Sequence, residues 1–262
     1  MIFLIFILLF INICFAYTES DTRGSIYMKL RVRQHGRIYI DGKAEKVVAN
    51  ITLPFNAKIE EVDKNWKIVR DNLGNKIIEI TGRPDSNNIF EFNIISTVVS
   101  NSIETNDIKD MKNTPSDVEI FTNPTEHIQS NNSNIRELAI NLTKNVKNSF
   151  ERIASLAIWV NRNLRYNLAY SNKNYDAVTV LKKREGVCAE YTTLFIALTR
   201  AIGIPARYVS SYAFGKNGWE PHAYAEVWLG SWVPVDPLWF QIGYLDASHT
   251  VSYTHLTLPT KA

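Results

Sequence analysis

Three side chains in the second half of the chain are of the types needed for thiol chemistry. Cys188 stands at the start of a helical run, His222 begins a later strand, and Asp236 ends the strand after that. A thiol, an imidazole and a carboxylate on three separate elements can act as nucleophile, base and orienting acid. Each residue alone is more often structural, since a lone cysteine is usually a small buried side chain. Their combination predicts a Cys-His-Asp triad.

The residues around Cys188 predict that the thiol lies at a helix N-terminus. Gly186 and Val187 precede it, apolar residues then recur at helical spacing, and Gly203 and Pro205 end the helix. Unpaired backbone N–H groups and the positive end of the helix dipole favour the thiolate, which is the attacking form. The buried stripe of this helix is expected to be Tyr191, Phe195, Leu198 and Ile202.

The turn between the last two strands decides whether His222 and Asp236 meet. Side chains alternate between the faces of a strand, so the number of turn residues sets which side chains share a face. A two-residue turn at Gly230-Ser231 would direct Asp236 away from His222. A three-residue turn that also includes Leu229 would place both on one face. We predict the three-residue turn or an equivalent bulge, with Gly230 at positive φ.

The elements that carry these residues predict an α+β domain over residues 135–250. Apolar residues recur at spacings of three and four from Ile135 and again around Leu156, which predicts two helices, and Asn131–Asn134 are candidate caps of the first. Strands are expected at 206–214, 222–229 and 232–235. Helices followed by an antiparallel sheet are typical of the α+β class.

The first half has a different pattern. Apolar and polar residues alternate with period two at 26–33, and further β-branched runs are separated by polar turns. Residues 17–104 therefore predict a mainly-β, sandwich-like N-terminal domain, acting as a scaffold or binding module. Residues 105–134 are rich in Asn, Asp, Ser, Thr and Pro, which predicts a linker or a long surface loop.

Composition excludes several other kinds of site. The chain has 262 residues, 29 basic and 26 acidic side chains and no basic block, so nucleic acid is not an expected partner. Two cysteines, Cys14 and Cys188, cannot build a disulfide framework or a zinc site from thiolates alone. The sequence has no phosphate loop, dinucleotide fingerprint or His-Glu-x-x-His motif. We expect neither a cofactor nor a metal.

The two ends of the chain carry separate expectations. Residues 1–16 contain one polar side chain, Asn12, and no charge, and they predict a signal peptide, with a retained membrane anchor as the alternative. The protein is then expected to be secreted or at the cell surface. It would contact a membrane only through that segment or through a missing C-terminal anchor. Residues 251–262 look like translated sequencing adapter and are predicted to be non-native, in which case His249 and His255 carry no information.

The motifs together resemble the microbial members of the transglutaminase-like superfamily. Gly186–Tyr191 with Arg200–Arg207 resemble its nucleophile helix, His222–Val227 its histidine strand and Trp232–Pro237 its aspartate strand. The resemblance covers about residues 135–245 and implies a papain-like α+β core. It also implies that Cys188 attacks an amide of a protein or peptide and that the thioester is then resolved by water or by an amine.

Several points stay open within this resemblance. Protease-like hydrolysis is favoured over transamidation, with N-glycan amide hydrolysis as a further possibility and a catalytically silent cell-envelope scaffold as the alternative. Tyr224, where many members carry Trp, and Trp219 are candidate substrate contacts. The Cys188 backbone N–H is a candidate oxyanion donor. Glu190 is expected to be structural, with Arg207 as its partner.

Overall fold

A computed structural model of the chain describes residues 7–8, 24–54, 56–105, 108, 114–215 and 218–255. These residues form a β-rich first half and a second half of helices and antiparallel strands. The predicted fold class, α+β with a mainly-β N-terminal domain, is confirmed. In these ranges no helix is both long enough and apolar enough to cross a membrane. The signal peptide predicted for residues 1–16 lies outside the described residues, apart from Ile7–Leu8.

Two antiparallel sheets face each other in the first half. One has the strand order β1-β2-β7-β4 and the other β3-β6-β5. Side chains alternate between buried and exposed along β2 and β7, and the buried ones meet those of β3 and β6 in one core. This is the predicted sandwich. The strands of this half are β1 (Ile7–Leu8), β2 (Tyr27–Tyr39), β3 (Val47–Thr52), β4 (Lys58–Val62), β5 (Asn65–Arg70), β6 (Lys76–Gly82), β7 (Ile89–Asn101) and β8 (Ile103–Glu104).

The second half packs helices against one face of an antiparallel sheet with the order β14-β13-β12-β11-β16. The helices are α1 (Ser116–Glu119), α2 (Ser133–Thr143), α3 (Ser149–Asn163), α4 (Ala177–Lys183) and α5 (Cys188–Ala201), with 3-10 turns at Ile120–Thr122 and Leu168–Tyr170. The strands are β9 (Arg165–Tyr166), β10 (Glu185–Gly186), β11 (Ala206–Gly215), β12 (Gly218–Trp228), β13 (Trp232–Asp236), β14 (Gln241–Ile242), β15 (Tyr244–Leu245) and β16 (His249–His255).

Helix α5 is the centre of this half. It contacts α2, α3 and α4 on one side and β11 and β12 on the other. Every residue from Glu190 to Arg200 is buried, so the predicted stripe is buried as far as Leu198, while Ile202 is only partly covered. A helix that is buried all round lies inside a core, so α5 is the central element of this half. The predicted cap of α2 is also confirmed, since the Asn132 side chain accepts from the N–H groups of Asn134 and Ile135.

Much of the predicted linker is packed. Phe121 is buried with its ring edge against Trp232, the centroids 5.2 Å apart, and Ile128 lies fully inside the helical core. Apolar side chains at these two positions anchor residues 116–130 on the second half. This part of the segment is therefore a piece of that half and not a free connection.

The two halves also pair through their backbones. β8 and β15 form a short antiparallel ladder in which Glu104 lies opposite Tyr244. The Ala247 N–H donates to the carbonyl of Ser25 at 2.7 Å. The tail predicted as non-native from residue 251 continues β16 along β11 as far as His255, and residues 256–262 lie outside the described part.

Candidate active site

Cys188 is the first residue of α5, and local contacts fix where that helix starts. The Glu190 side chain turns back, and its Oε2 accepts from the Val187 N–H at 2.9 Å while Oε1 accepts from the Tyr175 N–H at 3.3 Å. Gly186 makes room for this turn, because a Cβ there would lie 2.3 Å from the Cβ of Glu190. The Gly-Val-Cys-Ala-Glu spacing therefore sets the helix start and places the thiol in its first turn.

Glu190 is structural, as expected, but the expected partner is wrong. Arg207 instead pairs with Glu226, Nη2 to Oε2 at 2.6 Å, because these two residues lie opposite each other on β11 and β12. Burial raises the pKa of Glu190, and the backbone N–H groups of Val187 and Tyr175 act against that rise.

The hairpin between β12 and β13 has the predicted register. Trp228 pairs with Trp232 and Ala225 with Val235, and Gly230 has φ of +87° in the turn. One pair further along the same register, Asp236 faces Tyr224, so it shares a face with His222 two residues away. The three-residue turn is confirmed. It brings the imidazole and the carboxylate together from two neighbouring strands.

His222 lies between the thiol and the carboxylate. Its Nε2 is 2.7 Å from Asp236 Oδ2, and the Cys188 side chain lies beside it on the wall of the same cavity and helps to raise the pKa of His222. Because Nε2 faces the carboxylate, the nitrogen that faces the thiol is Nδ1. The structure thus brings together the three residues predicted as the triad in the order thiol, imidazole, carboxylate.

The Asp236 carboxylate is held by donors on both of its oxygens. The N–H groups of Leu238 and Trp239 donate to Oδ1 at 2.8 and 2.9 Å, and Oδ2 faces His222. Asp236 is completely buried. Pro237 begins the turn that carries both backbone donors, so the Asp-Pro-Leu-Trp segment fixes the orientation of the carboxylate through its own backbone.

Burial and charge act in opposite directions on this pair. Burial alone lowers the pKa of His222, but the charge and hydrogen bond of Asp236, together with the Cys188 side chain, raise it to about 10. Burial alone raises the pKa of Asp236, but His222 and His249 hold that pKa well below its ordinary range. The arrangement therefore stabilises an imidazolium facing a carboxylate.

A side-chain hydrogen bond ties the cysteine helix to the histidine strand. Thr192, one turn after Cys188, donates from Oγ1 to the carbonyl of Ala223 at 3.0 Å, and both residues are buried. Ala223 directly follows His222. This bond therefore sets the distance between the elements that carry the thiol and the imidazole.

A cavity of about 200 Å³ adjoins the thiol and the imidazole. Its mouth lies between exposed side chains, so solvent reaches Cys188. Trp239 stacks on the His222 ring with the centroids 4.7 Å apart and closes one side. Sequence reasoning missed Trp239 and Tyr166 as wall residues. The cavity is lined by Tyr166, Cys188, Ala213, Gly215, Glu220, Pro221, His222, Leu238 and Trp239.

The two candidate substrate contacts lie elsewhere. Tyr224 is fully buried and packs edge-on against His249, with the centroids 5.9 Å apart. Trp219 packs against the core of the sandwich and, edge-on, against Phe214. Neither side chain lines the cavity. Tyr224 lies behind the histidine, and Trp219 joins the two halves.

A second histidine, set aside in the sequence reasoning, lies in the site. His249 Nε2 is 3.2 Å from Asp236 Oδ2, and its Nδ1 is 3.2 Å from Asp246 Oδ1. Its ring meets Trp239 and His222 edge-on, at 4.8 and 5.3 Å between centroids. It comes from β16, the far edge of the sheet, and no local pattern in the sequence links it to Asp236.

His222, Asp236 and His249 also offer ligand atoms within 4.8 Å of one another, a separation that a metal ion could span. However, the 2.7 Å contact between His222 and Asp236 is that of a hydrogen bond. Ligands of a tetrahedral metal bound at roughly 2.0–2.1 Å would stand farther apart. The cluster is therefore built as a hydrogen-bond network.

One curated protein shares sequence with this chain. It is an uncharacterised protein of Mycobacterium leprae (strain TN), 29% identical over 87 residues, which are 30% of this chain and 31% of that protein. The chain thus aligns with about a third of the length of that relative.

Solved structures resemble this chain to different degrees. A crystal structure of a candidate cysteine protease from Cytophaga hutchinsonii superposes with a TM-score of 0.66 at 18% identity, covering 88% of this chain and 84% of that chain. The periplasmic domain of TgpA from Pseudomonas aeruginosa gives a TM-score of 0.42 at 17% identity, covering 82% and 72%.

The sequence model of the transglutaminase-like superfamily matches residues 136–237. This range begins in α2 and ends just after Asp236, so it contains α5, the histidine strand and the aspartate strand. The resemblance of this part of the chain to the transglutaminase-like superfamily, predicted from the motifs, is thereby confirmed.

Proposed function

We propose that this protein is a cysteine enzyme that cleaves amide bonds of proteins or peptides through Cys188, His222 and Asp236. The observation that carries the proposal is the placement of His222. Its Nε2 meets a buried carboxylate, and its ring shares the wall of a cavity open to solvent with the Cys188 thiol. The Cytophaga hutchinsonii structure described as a candidate cysteine protease has the same fold.

In the first step, Cys188 Sγ bonds to the amide carbonyl carbon while its proton is held by His222 Nδ1. The carbonyl electron pair moves to oxygen, and the backbone N–H of Cys188, in the first turn of α5, is placed to donate to that oxygen. The tetrahedral intermediate collapses, the carbon–nitrogen bond breaks, and the leaving amine takes the proton from His222. A thioester on Cys188 remains.

In the second step, water attacks the thioester carbon as His222 Nδ1 accepts a proton from it. The carbon–sulfur bond breaks, which releases a carboxylic acid and restores the thiol with the proton from His222. Asp236 holds the ring by its hydrogen bond to Nε2, so Nδ1 stays directed at the reaction. We propose water as the acceptor because the cavity mouth is lined by exposed residues. An amine in its place would give transamidation.

We further propose that the enzyme acts outside the cell or at its surface, on a protein or peptide. The apolar, uncharged segment at residues 1–16 supports this location.

The reactivity of the thiol tests the proposal. Iodoacetamide at neutral pH should alkylate Cys188 faster than a free cysteine, and His222→Ala should slow this rate. His35→Ala is a matched control, since His35 lies on the sandwich and bonds Glu91. Alkylation no faster than a free thiol, or a rate that His222→Ala leaves unchanged, would instead indicate a catalytically silent scaffold.

The products test the reaction type. The protein is incubated with a peptide library and an amine donor, and the mixture is read by mass spectrometry. Cleaved peptides would support hydrolysis. Amine adducts would show that the reaction is transamidation instead. In a separate assay, release of glycans from a denatured glycoprotein would show that the reaction is glycan amide hydrolysis. Cys188→Ser should abolish every product.

A further inference from the structure

We propose that His249 is a positioning residue that holds Asp236, and through it His222, by linking Asp236 to Asp246. The inference rests on the proposed function, because it concerns the reactivity of the same thiol. It assigns a role to a side chain outside the Cys-His-Asp set and outside residues 136–237.

The geometry around Asp236 carries the first step. Oδ2 faces two imidazoles, His222 at 2.7 Å and His249 at 3.2 Å. An ionised carboxylate only accepts hydrogen bonds, so both imidazoles must direct an N–H at the same oxygen. With two backbone N–H groups on Oδ1, the carboxylate has four donors. Without His249, Oδ2 would be held by the His222 imidazole alone.

The other side of His249 carries the second step. Its Nδ1 faces Asp246 Oδ1 at 3.2 Å, so the two ring nitrogens face one carboxylate each. The side chain is 2% exposed, and its ring is enclosed by the rings of Trp239, His222 and Tyr224. The imidazole therefore has one orientation, with one nitrogen directed at each carboxylate.

The third step is the anchoring of Asp246 and His249 on the sandwich. Asp246 Oδ2 accepts from the N–H of Gly24 at 3.1 Å and from Gln241 Nε2 at 2.8 Å. Ser100, at the end of β7, donates from Oγ to the carbonyl of His249 at 2.6 Å. The chain of contacts thus runs from the N-terminal domain through Asp246 and His249 to the catalytic carboxylate. We infer that the sandwich helps to position the triad.

Two substitutions of similar size separate positioning from simple packing. The amide of glutamine reaches as far as Nε2 of histidine, so His249→Gln keeps a donor for Asp236. The amide of asparagine reaches only as far as Nδ1, so His249→Asn keeps a contact with Asp246 alone. We expect Cys188 alkylation to slow about threefold in the glutamine variant. We expect it to slow tenfold or more in the asparagine variant, as for loss of a hydrogen bond to a charged acceptor.

The experiment measures iodoacetamide alkylation rates of the full chain at neutral pH, with His35→Asn as the control that leaves the rate unchanged. A faster rate in the glutamine variant than in the asparagine variant supports the inference. Equal rates in the two variants, or the reverse order, overturn it. A wild-type rate no faster than a free thiol would refute the proposed function instead. The two failures are therefore distinguishable.

Discussion

Two neighbouring threonines of α5 allow a sharp test of how the cysteine helix is held against the histidine strand. Thr192 and Thr193 are both fully buried. Thr192 donates its hydroxyl to the carbonyl of Ala223 at 3.0 Å, whereas the hydroxyl of Thr193 has no hydrogen-bond partner among the residues that the structure describes. Replacing each by valine changes shape little and removes one hydroxyl. The two variants therefore differ mainly in whether a hydrogen bond is lost.

The expected change in the free energy of unfolding of each variant follows from the surroundings of its hydroxyl. Thr192→Val loses a bond with a net contribution of about 1 kcal/mol and deprives a buried carbonyl of a donor, so we expect the free energy of unfolding to fall by about 1–2 kcal/mol. Thr193→Val replaces an unpaired buried hydroxyl, whose burial costs roughly 1–3 kcal/mol, by a methyl group. We expect the free energy of unfolding to stay unchanged or to rise by up to about 1 kcal/mol.

Urea unfolding followed by fluorescence measures this difference. At an m-value of about 2 kcal/mol/M, a separation of about 2 kcal/mol places the two midpoints about 1 M apart. Cys188 alkylation should also slow in Thr192→Val and not in Thr193→Val, since only the first bond ties α5 to β12. Equal midpoints for the two variants, or a lower midpoint for Thr193→Val, would refute this account of the contact.

Other residues give further tests. Because folding raises the pKa of His222 from 6.5 to about 10, its stabilising contribution is complete below pH 6.5 and lost as pH rises through 10. Urea unfolding should therefore show a larger loss of stability from pH 6 to pH 10 in wild type than in His222→Ala. Arg200→Lys removes the guanidinium, whose Nε and Nη2 both donate to the Ala206 carbonyl. Thermal denaturation should show a free energy of unfolding lower by about 2–3 kcal/mol. Glu190→Ala leaves two backbone N–H groups without their acceptor, so urea unfolding should show a free energy of unfolding lower by about 2 kcal/mol. Gly186→Ala places a Cβ against the Glu190 side chain, which should displace the start of α5, so the rate of Cys188 alkylation should fall.

The three groups of the site could be predicted from the sequence because each lies in a strong local pattern. A glycine, an acid and a following apolar run mark the start of α5 around Cys188. The register of the hairpin between His222 and Asp236 could also be predicted. Because side chains alternate between the two faces of a strand, the number of turn residues determines which side chains share a face. Gly230 at positive φ and the Trp228–Trp232 pair confirm that inference.

What could not be predicted depends on contacts between distant parts of the chain. Trp219 resembles an exposed aromatic side chain near the histidine, but it packs against the core of the sandwich, which belongs to the other half. Arg207 has two acidic candidates, and only the register of β11 against β12 selects Glu226 over Glu190. His249 belongs to a strand that crosses to the far edge of the sheet, so its distance from Asp236 depends on the whole sheet order.

The two oxygens of Asp236 show how these kinds of information combine. Oδ1 is held by backbone N–H groups two and three residues later, which any chain with this turn would supply. Oδ2 is held by imidazoles from β12 and β16, which the sheet must bring together. The same short segment also supplies Trp239, whose ring stacks on His222. Because the local turn fixes one oxygen and the distant strands fix the other, the carboxylate can hold His222 only when the complete sheet has formed.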